Sequence, residues 1–174
     1  RVDELLEEVR KLVKDVHDTT EELLKEVERR LDEVKKRVDR SNEEVKELVK
    51  EAVKRSGETE EIRRLDEELR KAIEKDKRDL EKIEEDLRRE ADKIRRENEE
   101  LKRRLEEEED KIKKRPTDDT KIEELLRRIE KYMRESKERI DRLLERIDEV
   151  LEKNERDVRK LLEDIRRMIE KDDT

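Results

Sequence analysis

Apolar residues recur at intervals of 18 along this chain, and that interval constrains the fold more than any other feature. Ile122, Ile140 and Val158 form one such set, and the other apolar positions of each third of the chain repeat in the same way. Eighteen residues make about five turns of an α-helix, so each set lies on one side of a helix. A 7-residue repeat winds helices into a left-handed supercoil and an 11-residue repeat into a right-handed one. Their sum, 18, predicts helices that run nearly straight.

Two short segments interrupt the pattern. The stretch "RSGETEE" contains the only glycine, Gly57, which can end a helix in the left-handed conformation, and Thr59, which can cap the next helix. The stretch "KRPTDDT" contains the only proline, Pro116, which disfavours helical conformation in the residue before it. Each uninterrupted segment holds about 54 residues, or roughly 80 Å of helix. We therefore predict helices near residues 2–55, 59–114 and 119–171.

The short connections make consecutive helices antiparallel. The predicted fold is all-α, an up-down-up antiparallel three-helix bundle that forms a single elongated domain over residues 1–174. Charged residues make up 63% of the chain and apolar residues 28%, a balance that is typical of disordered chains. The order of the residues outweighs the composition here, because the apolar residues are concentrated on one stripe of each helix.

Polar residues interrupt the stripes at a few positions. Ser41 and Asn42 occupy the places that pairs of leucines fill 18 and 36 residues earlier. Ser41 with Glu44 also resembles a capping box, which would start a new helix. Because the stripe continues from Val38 to Val45 without a change of phase, we predict one continuous helix with polar residues in its core positions.

These polar residues fall into two groups when heights are measured outward from the two connections. A buried polar group without a partner costs about 1–3 kcal/mol, whereas grouped polar residues can satisfy one another and specify the register of the helices. We predict two buried hydrogen-bond networks. The first contains His17, Thr20, Asn98, Ser136 and Tyr132, and the second contains Ser41, Asn42, Asp76 and Asn154.

No residues are nominated for catalysis, cofactor binding or metal binding. His17 is the only histidine and cysteine is absent, whereas a metal site needs several ligands; a pH-sensing role for His17 stays open. The 51 basic and 59 acidic residues are well mixed, which argues against a nucleic-acid surface. No apolar run approaches the roughly 20 residues of a membrane span. We expect no enzyme activity and no obligatory partner.

The equal helices, the 18-residue repeat, the minimal connections "SGET" and "RPTDDT" and the polar layers together resemble a de novo designed, parametrically generated three-helix bundle with buried hydrogen-bond networks. The resemblance covers the whole chain. It implies no natural substrate and no natural location, a soluble and cytoplasmic product on recombinant expression, high stability, and use as a scaffold or building block. The second helix departs from an ideal design, because its stripe thins to Ala91, Asn98 and Glu108.

The apolar count of each helix bears on the oligomeric state. The predicted helices carry 18, 13 and 18 apolar residues in chain order, close to two per heptad, which suits a closed three-helix monomer. The surplus on helices 1 and 3 leaves room for self-association through them. The alternative function is therefore a subunit of a designed homo- or hetero-oligomeric helical bundle, or a natural-type coiled-coil interaction module.

Overall fold

Three long helices account for almost all of the chain in the computed structural model, which describes residues 2–114 and 119–172. Helix α1 spans Val2–Ser56, α2 spans Glu60–Lys114 and α3 spans Asp119–Asp172, and no strand occurs in the described ranges. The predicted all-α, three-helix fold is confirmed. Helix α1 passes through Ser41 without a break, also as predicted, whereas the predicted stop at Pro116 lies outside the described residues.

The connection between α1 and α2 uses the residues that the sequence indicated. Gly57 has a φ of 70°, and its N–H donates to the carbonyl of Val53 at 2.9 Å, which closes the last turn of α1. The hydroxyl oxygen of Thr59 accepts from the backbone N–H of Ile62 at 3.3 Å and caps the first turn of α2. Helix α1 therefore ends, and α2 begins, through local chemistry.

The buried positions of α1 follow the 18-residue interval. Leu6, Val9, Val13, Val16 and Thr20 are buried, and the same five positions are buried again 18 residues further on. The steps of three and four residues keep these side chains on one side of the helix, while the residues between them remain largely in solvent. The stripe is thus the surface through which the helix packs.

The contacts of the chain fall into two compact units. Unit 1 contains Arg1–Glu28 and Asp86–Leu143, and unit 2 contains Arg29–Glu85 and Leu144–Thr174. Each unit therefore includes a segment of α1, a segment of α2 and a segment of α3. A single domain over residues 1–174 stays a prediction.

In unit 1, ion pairs show the direction of α2 relative to α1. Arg10 Nε lies 2.6 Å from Glu109 Oε1, and Arg95 Nε lies 2.9 Å from Glu21 Oε1. Later residues of α1 thus meet earlier residues of α2, so the two helices are antiparallel. One apolar cluster of this unit consists of Leu6, Val9, Val13, Val16, Leu105, Ile112, Ile122 and Ile129.

In unit 2, contacts between α1 and α3 show that these two helices run in the same direction. Arg30 Nη2 lies 2.9 Å from Asp148 Oδ1, and further along both helices Asn154 Nδ2 donates to Asn42 Oδ1 at 3.4 Å. This shared direction fits the predicted up-down-up arrangement. One apolar cluster of this unit consists of Val45, Val49, Ala52, Ile62, Leu65, Leu69, Ile73, Val158, Leu161 and Ile165.

The substitution Gly57→Ala tests the helix stop. A Cβ at this position would meet no atom within 4 Å, so the cost is confined to the left-handed backbone. We expect Gly57→Ala to lower the free energy of unfolding by about 1–2 kcal/mol in guanidinium denaturation. Gly57→Asn is the matched control and should lose less, because asparagine tolerates this conformation better. Equal denaturation midpoints for the parent and the alanine variant would contradict the assignment.

Candidate functional site

Buried polar residues are the distinctive feature of the interior in the described part of the chain. Within residues 2–114 and 119–172, no three His, Asp or Glu side chains are placed to share a metal ion, and no helix is long and apolar enough to cross a membrane. The described residues include six buried polar side chains, three in each unit and one on each helix of that unit. Those of unit 1 are Thr20, Asn98 and Ser136, and those of unit 2 are Asn42, Asp76 and Asn154.

The layer of unit 1 is built on a threonine that bonds to its own helix. Thr20 is fully buried, and its hydroxyl donates to the carbonyl of Val16 at 2.8 Å. The Nδ2 group of Asn98 on α2 donates to the same hydroxyl oxygen at 3.0 Å. The other end of that amide, Oδ1, is buried and finds no partner among the described residues. The layer thus joins α1 to α2 through one short bond and leaves one acceptor without a donor.

Helix α3 enters the same unit through Ser136 and Tyr132. Ser136 is fully buried, and Arg139 Nη2 lies 3.5 Å from its hydroxyl oxygen, which is at the limit of a hydrogen bond. The hydroxyl of half-buried Tyr132 donates to the carbonyl of Ile94 on α2 at 3.4 Å. Burial raises the pKa of Tyr132 to about 12, and a hydrogen bond with Ser136 partly opposes that rise. The bonds of Ser136 therefore run to residues of α3, whereas Asn98 bonds to Thr20.

A cluster of three charged residues lies beside this layer. Arg139 on α3 holds two carboxylates of α2, with Nη1 at 3.0 Å from Glu90 Oε1 and Nη2 at 3.0 Å from Glu97 Oε2. Their side chains are only 24–31% exposed, so solvent screens these ion pairs less than it screens the Arg30–Asp148 pair, whose side chains are 32% and 51% exposed. The sequence pattern did not predict this cluster. The available signal was that each of the three residues immediately precedes a position of the stripe.

The layer of unit 2 contains a carboxylate and two amides. Asp76 on α2, Asn154 on α3 and Asn42 on α1 are at most 4% exposed. Asn154 Nδ2 donates to Asp76 Oδ2 at 2.7 Å and to Asn42 Oδ1 at 3.4 Å. Asn154 Oδ1 and Asn42 Nδ2 are buried and find no partner among the described residues. Asn154 therefore connects all three helices of the unit.

Burial raises the pKa of Asp76, because the charged carboxylate loses its hydration. The hydrogen bond from Asn154 acts in the opposite direction, since it stabilises the charged form. The negative charges of Asp157 and Asp79 add to the rise, and the positive charge of Lys153 reduces it. The net direction is upward, so Asp76 holds its proton to a higher pH than an exposed aspartate does.

His17 and Ser41 were predicted to be buried in the two networks, but neither side chain is buried in the structure. His17 is exposed, and its contribution to the layer is the backbone carbonyl that accepts from the Thr20 hydroxyl at 3.1 Å. Matching heights from the connection ignored the lean of helical side chains toward the N-terminus of their own helix. Equal distance from the connection predicts that His17 faces Asn98. In an antiparallel pair the lean moves the partner of Asn98 toward the C-terminus of α1, to Thr20. Ser41 is half-buried, and its neighbour Asn42 takes the core position.

Two of the predicted residues, His17 and Asn98, also line a groove between α1 and α2 in unit 1. Its volume is about 610 Å³, and Val13 and Leu105 contribute apolar surface to it. Charged residues of both signs surround it, namely Arg10, Lys14, Glu99, Lys102, Glu106 and Glu109. The groove consequently presents no field of one sign that would select a charged ligand.

These contacts define the protein as a helical bundle in which each compact unit contains a buried polar layer. Comparison of the chain with protein-family models, with curated protein sequences and with solved structures gives no match.

Truncation of Asn98 tests the layer of unit 1. Asn98→Ala removes the donor to the buried Thr20 hydroxyl oxygen, and we expect the free energy of unfolding to fall by about 1–3 kcal/mol in guanidinium denaturation. The double variant Thr20→Val with Asn98→Leu places the residue types of positions 38 and 80 in the layer and should hold or raise stability. An unchanged midpoint for Asn98→Ala would mean that water solvates this site.

Removal of the Arg139 guanidinium tests the charged cluster. Arg139→Met keeps an apolar stem but leaves Glu90 and Glu97 without their cation, so we expect a loss of about 1–2 kcal/mol in the same assay. Arg30→Met is the matched control, because the Arg30 and Asp148 side chains are 32% and 51% exposed and should contribute under about 1 kcal/mol. Equal losses in the two variants would assign the Arg139 cluster to ordinary surface charge.

Proposed function

We propose that this chain is a designed structural scaffold whose two polar layers specify how its helices pair. One observation supports the proposal most strongly: the six buried polar residues of the described chain divide into two sets, and each set takes one residue from each helix. Random polar substitution of a stripe would leave isolated polar groups at unrelated heights. Matched placement on three helices is typical of residues selected together.

The layers act through the free-energy difference between correct and incorrect pairings. In the correct pairing, Asn154 reaches both Asp76 and Asn42, and Asn98 reaches Thr20. A shift of one helix by one stripe position would set these polar groups against leucine and isoleucine side chains. Each polar group that then lost its partner would cost about 1–3 kcal/mol, so the layers penalise wrong pairings more than they stabilise the right one.

The placement of the surplus apolar residues favours a closed monomer over an assembly subunit. In unit 1, Leu5 and Leu12 of α1 and Leu125 and Leu126 of α3 pack against the unit's own apolar cluster. In unit 2, Leu48, Val53, Leu162, Met168 and Ile169 do the same. No large apolar side chain is exposed among the described residues. The surplus thus has partners within the chain.

The alternative function is a subunit of a helical oligomer that associates through α1 and α3. The higher apolar count of these two helices favours it, because a helix that also faces a second chain needs about three apolar residues per heptad. Under either function, the chain needs no catalytic activity, cofactor, nucleic acid or natural cellular location.

Sedimentation equilibrium over a wide concentration range separates the two functions. A scaffold has a constant mass near 21.5 kDa, and a subunit has a mass of two or more chains that depends on concentration. The role of the layers is tested in a variant with apolar residues at all six positions: Thr20→Val, Asn42→Leu, Asp76→Ile, Asn98→Leu, Ser136→Ala and Asn154→Leu. We expect this variant to resist guanidinium better than the parent but to give several species by sedimentation and several sets of amide resonances.

Retention of a single mass and a single set of resonances in the apolar variant would contradict the proposed role of the layers. A control variant with Ser41→Leu changes a half-buried polar residue outside the two layers. It should remain a single species like the parent.

A further inference from the structure

The layer of unit 2 combines one ionisable group with two groups that can reverse their polarity. A carboxylate only accepts hydrogen bonds, but a protonated carboxyl group also donates one. A primary amide donates from one end and accepts at the other, and its two ends are nearly identical in shape. Asp76 supplies the carboxyl group, and Asn154 and Asn42 supply the amides.

The present arrangement fits the charged form of Asp76. Asn154 turns Nδ2 toward Asp76 Oδ2 at 2.7 Å, and the same nitrogen faces Asn42 Oδ1 at 3.4 Å. The reverse ends of the two amides, Asn154 Oδ1 and Asn42 Nδ2, are those that find no partner among the described residues. A half-turn of either amide therefore breaks no hydrogen bond at Asn154 Oδ1 or Asn42 Nδ2.

We propose that Asp76, Asn154 and Asn42 form a proton-operated relay in the interior of unit 2, in which both amides reverse when Asp76 takes up a proton. After the half-turn, Asn154 Oδ1 stands where Nδ2 stood, accepts the new Asp76 O–H and also accepts from Asn42 Nδ2. The proton comes from solvent and stays on Asp76, and no covalent bond other than this O–H forms. Each of the three side chains keeps its contact, and only the direction of donation changes.

The relay makes unit 2 more stable in acid. The pKa of Asp76 is raised above its ordinary value of 3.8, so the folded chain binds this proton more tightly than the unfolded chain does. The contribution of Asp76 to the free energy of unfolding is complete below the ordinary aspartate pKa of 3.8. It is lost as the pH rises through the raised pKa of Asp76. In that window the ratio of folded to unfolded chain changes by at most about tenfold per pH unit.

The charged groups around Asp76 modulate this response without replacing it. Asp79 of α2 and Asp157 of α3 favour proton uptake, whereas Lys153 of α3 opposes it. The exposed Lys75 of α2 is in contact with Lys153. Helix α1 contributes an uncharged amide, Asn42, to the layer. Unit 1 contains an opposite response, because the hydrogen bond from Arg95 lowers the pKa of Glu21 and is lost in acid.

Asp76→Asn isolates the relay from the other carboxylates. The variant fixes position 76 in a neutral form that can donate to Asn154 Oδ1, so it mimics the protonated state at every pH. In guanidinium denaturation at a series of pH values, we expect the variant to be more stable than the parent at about pH 7. The two curves should converge as the pH falls to the ordinary aspartate pKa. Asp39→Asn removes the same charge from an exposed site one turn before Asn42 and is the matched control. Introduced into the parent and into Asp76→Asn alike, it should leave the pH-dependent difference between them in place.

Nuclear magnetic resonance provides the direct readout of the half-turn. The side-chain NH₂ resonances of Asn154 and Asn42 should titrate together with the Asp76 carboxyl carbon, at a pH above the ordinary aspartate range. Titration of Asp76 near 3.8 with fixed amide resonances, or a stability difference between Asp76→Asn and the parent that is independent of pH, would overturn the proposal. The relay rests on a layer of the proposed scaffold, but the two fail separately. The Asp76→Asn variant retains three polar residues in the layer, and a single species near about pH 7 in the same spectra supports the scaffold whether or not the amides titrate.

Discussion

Contact between apolar stripes is the interaction on which the rest of this structure depends. Only 28% of the residues are apolar, and the buried ones lie along one stripe of each helix. Outside the stripes the helices carry mainly charged residues, whose pairs three or four positions apart contribute only a few tenths of a kcal/mol each. Most helical stability in proteins comes from packing of an apolar face. Helices of 54 and 55 residues with this composition thus persist because their stripes meet.

The few polar residues on the stripes matter because the stripes are buried away from solvent. An amide at the surface exchanges its hydrogen bonds with water at little cost, whereas Asn98 or Asn154 in the interior depends on what the facing helices supply. In unit 1, the partner of Asn98 is the hydroxyl of Thr20, which also donates a hydrogen bond to the carbonyl of Val16 on its own helix. In unit 2, the partner of Asn154 is the carboxylate of Asp76. It accepts a hydrogen bond of 2.7 Å, shorter than the 3.0 Å bond of Asn98, but it brings a charge into the interior. The two layers therefore respond to acid differently, although both join facing helices.

Two kinds of residue flank the apolar stripes: ion pairs border α2, and additional apolar residues border α1 and α3. Helix α2 has the fewest apolar residues, and in each unit it is bordered by ion pairs such as Arg10–Glu109 in unit 1 and Lys35–Glu84 in unit 2. The surplus leucines of α1 and α3 instead pack against the apolar cluster of their own unit. Arg30 occupies a repeat position that leucine fills 18 residues to either side, and it pairs with Asp148 of α3. The lower apolar count of α2 thus reflects a different way of covering its flanks.

The sequence by itself determined the helices, the end of α1 and the identity of most core positions. The 18-residue interval marks Thr20, Asn98 and Asp76 as members of a stripe, and the conformational freedom of Gly57 marks the end of α1, because both signals are local along the chain. Tertiary structure alone decided which polar residues meet. The lean of side chains in antiparallel helices selects Thr20 and leaves His17 in solvent, and the fit between three helices buries Asn42 more deeply than Ser41. Arg139 gathers Glu90 and Glu97 only because α2 and α3 lie side by side, a relation that residue spacing within one helix does not encode.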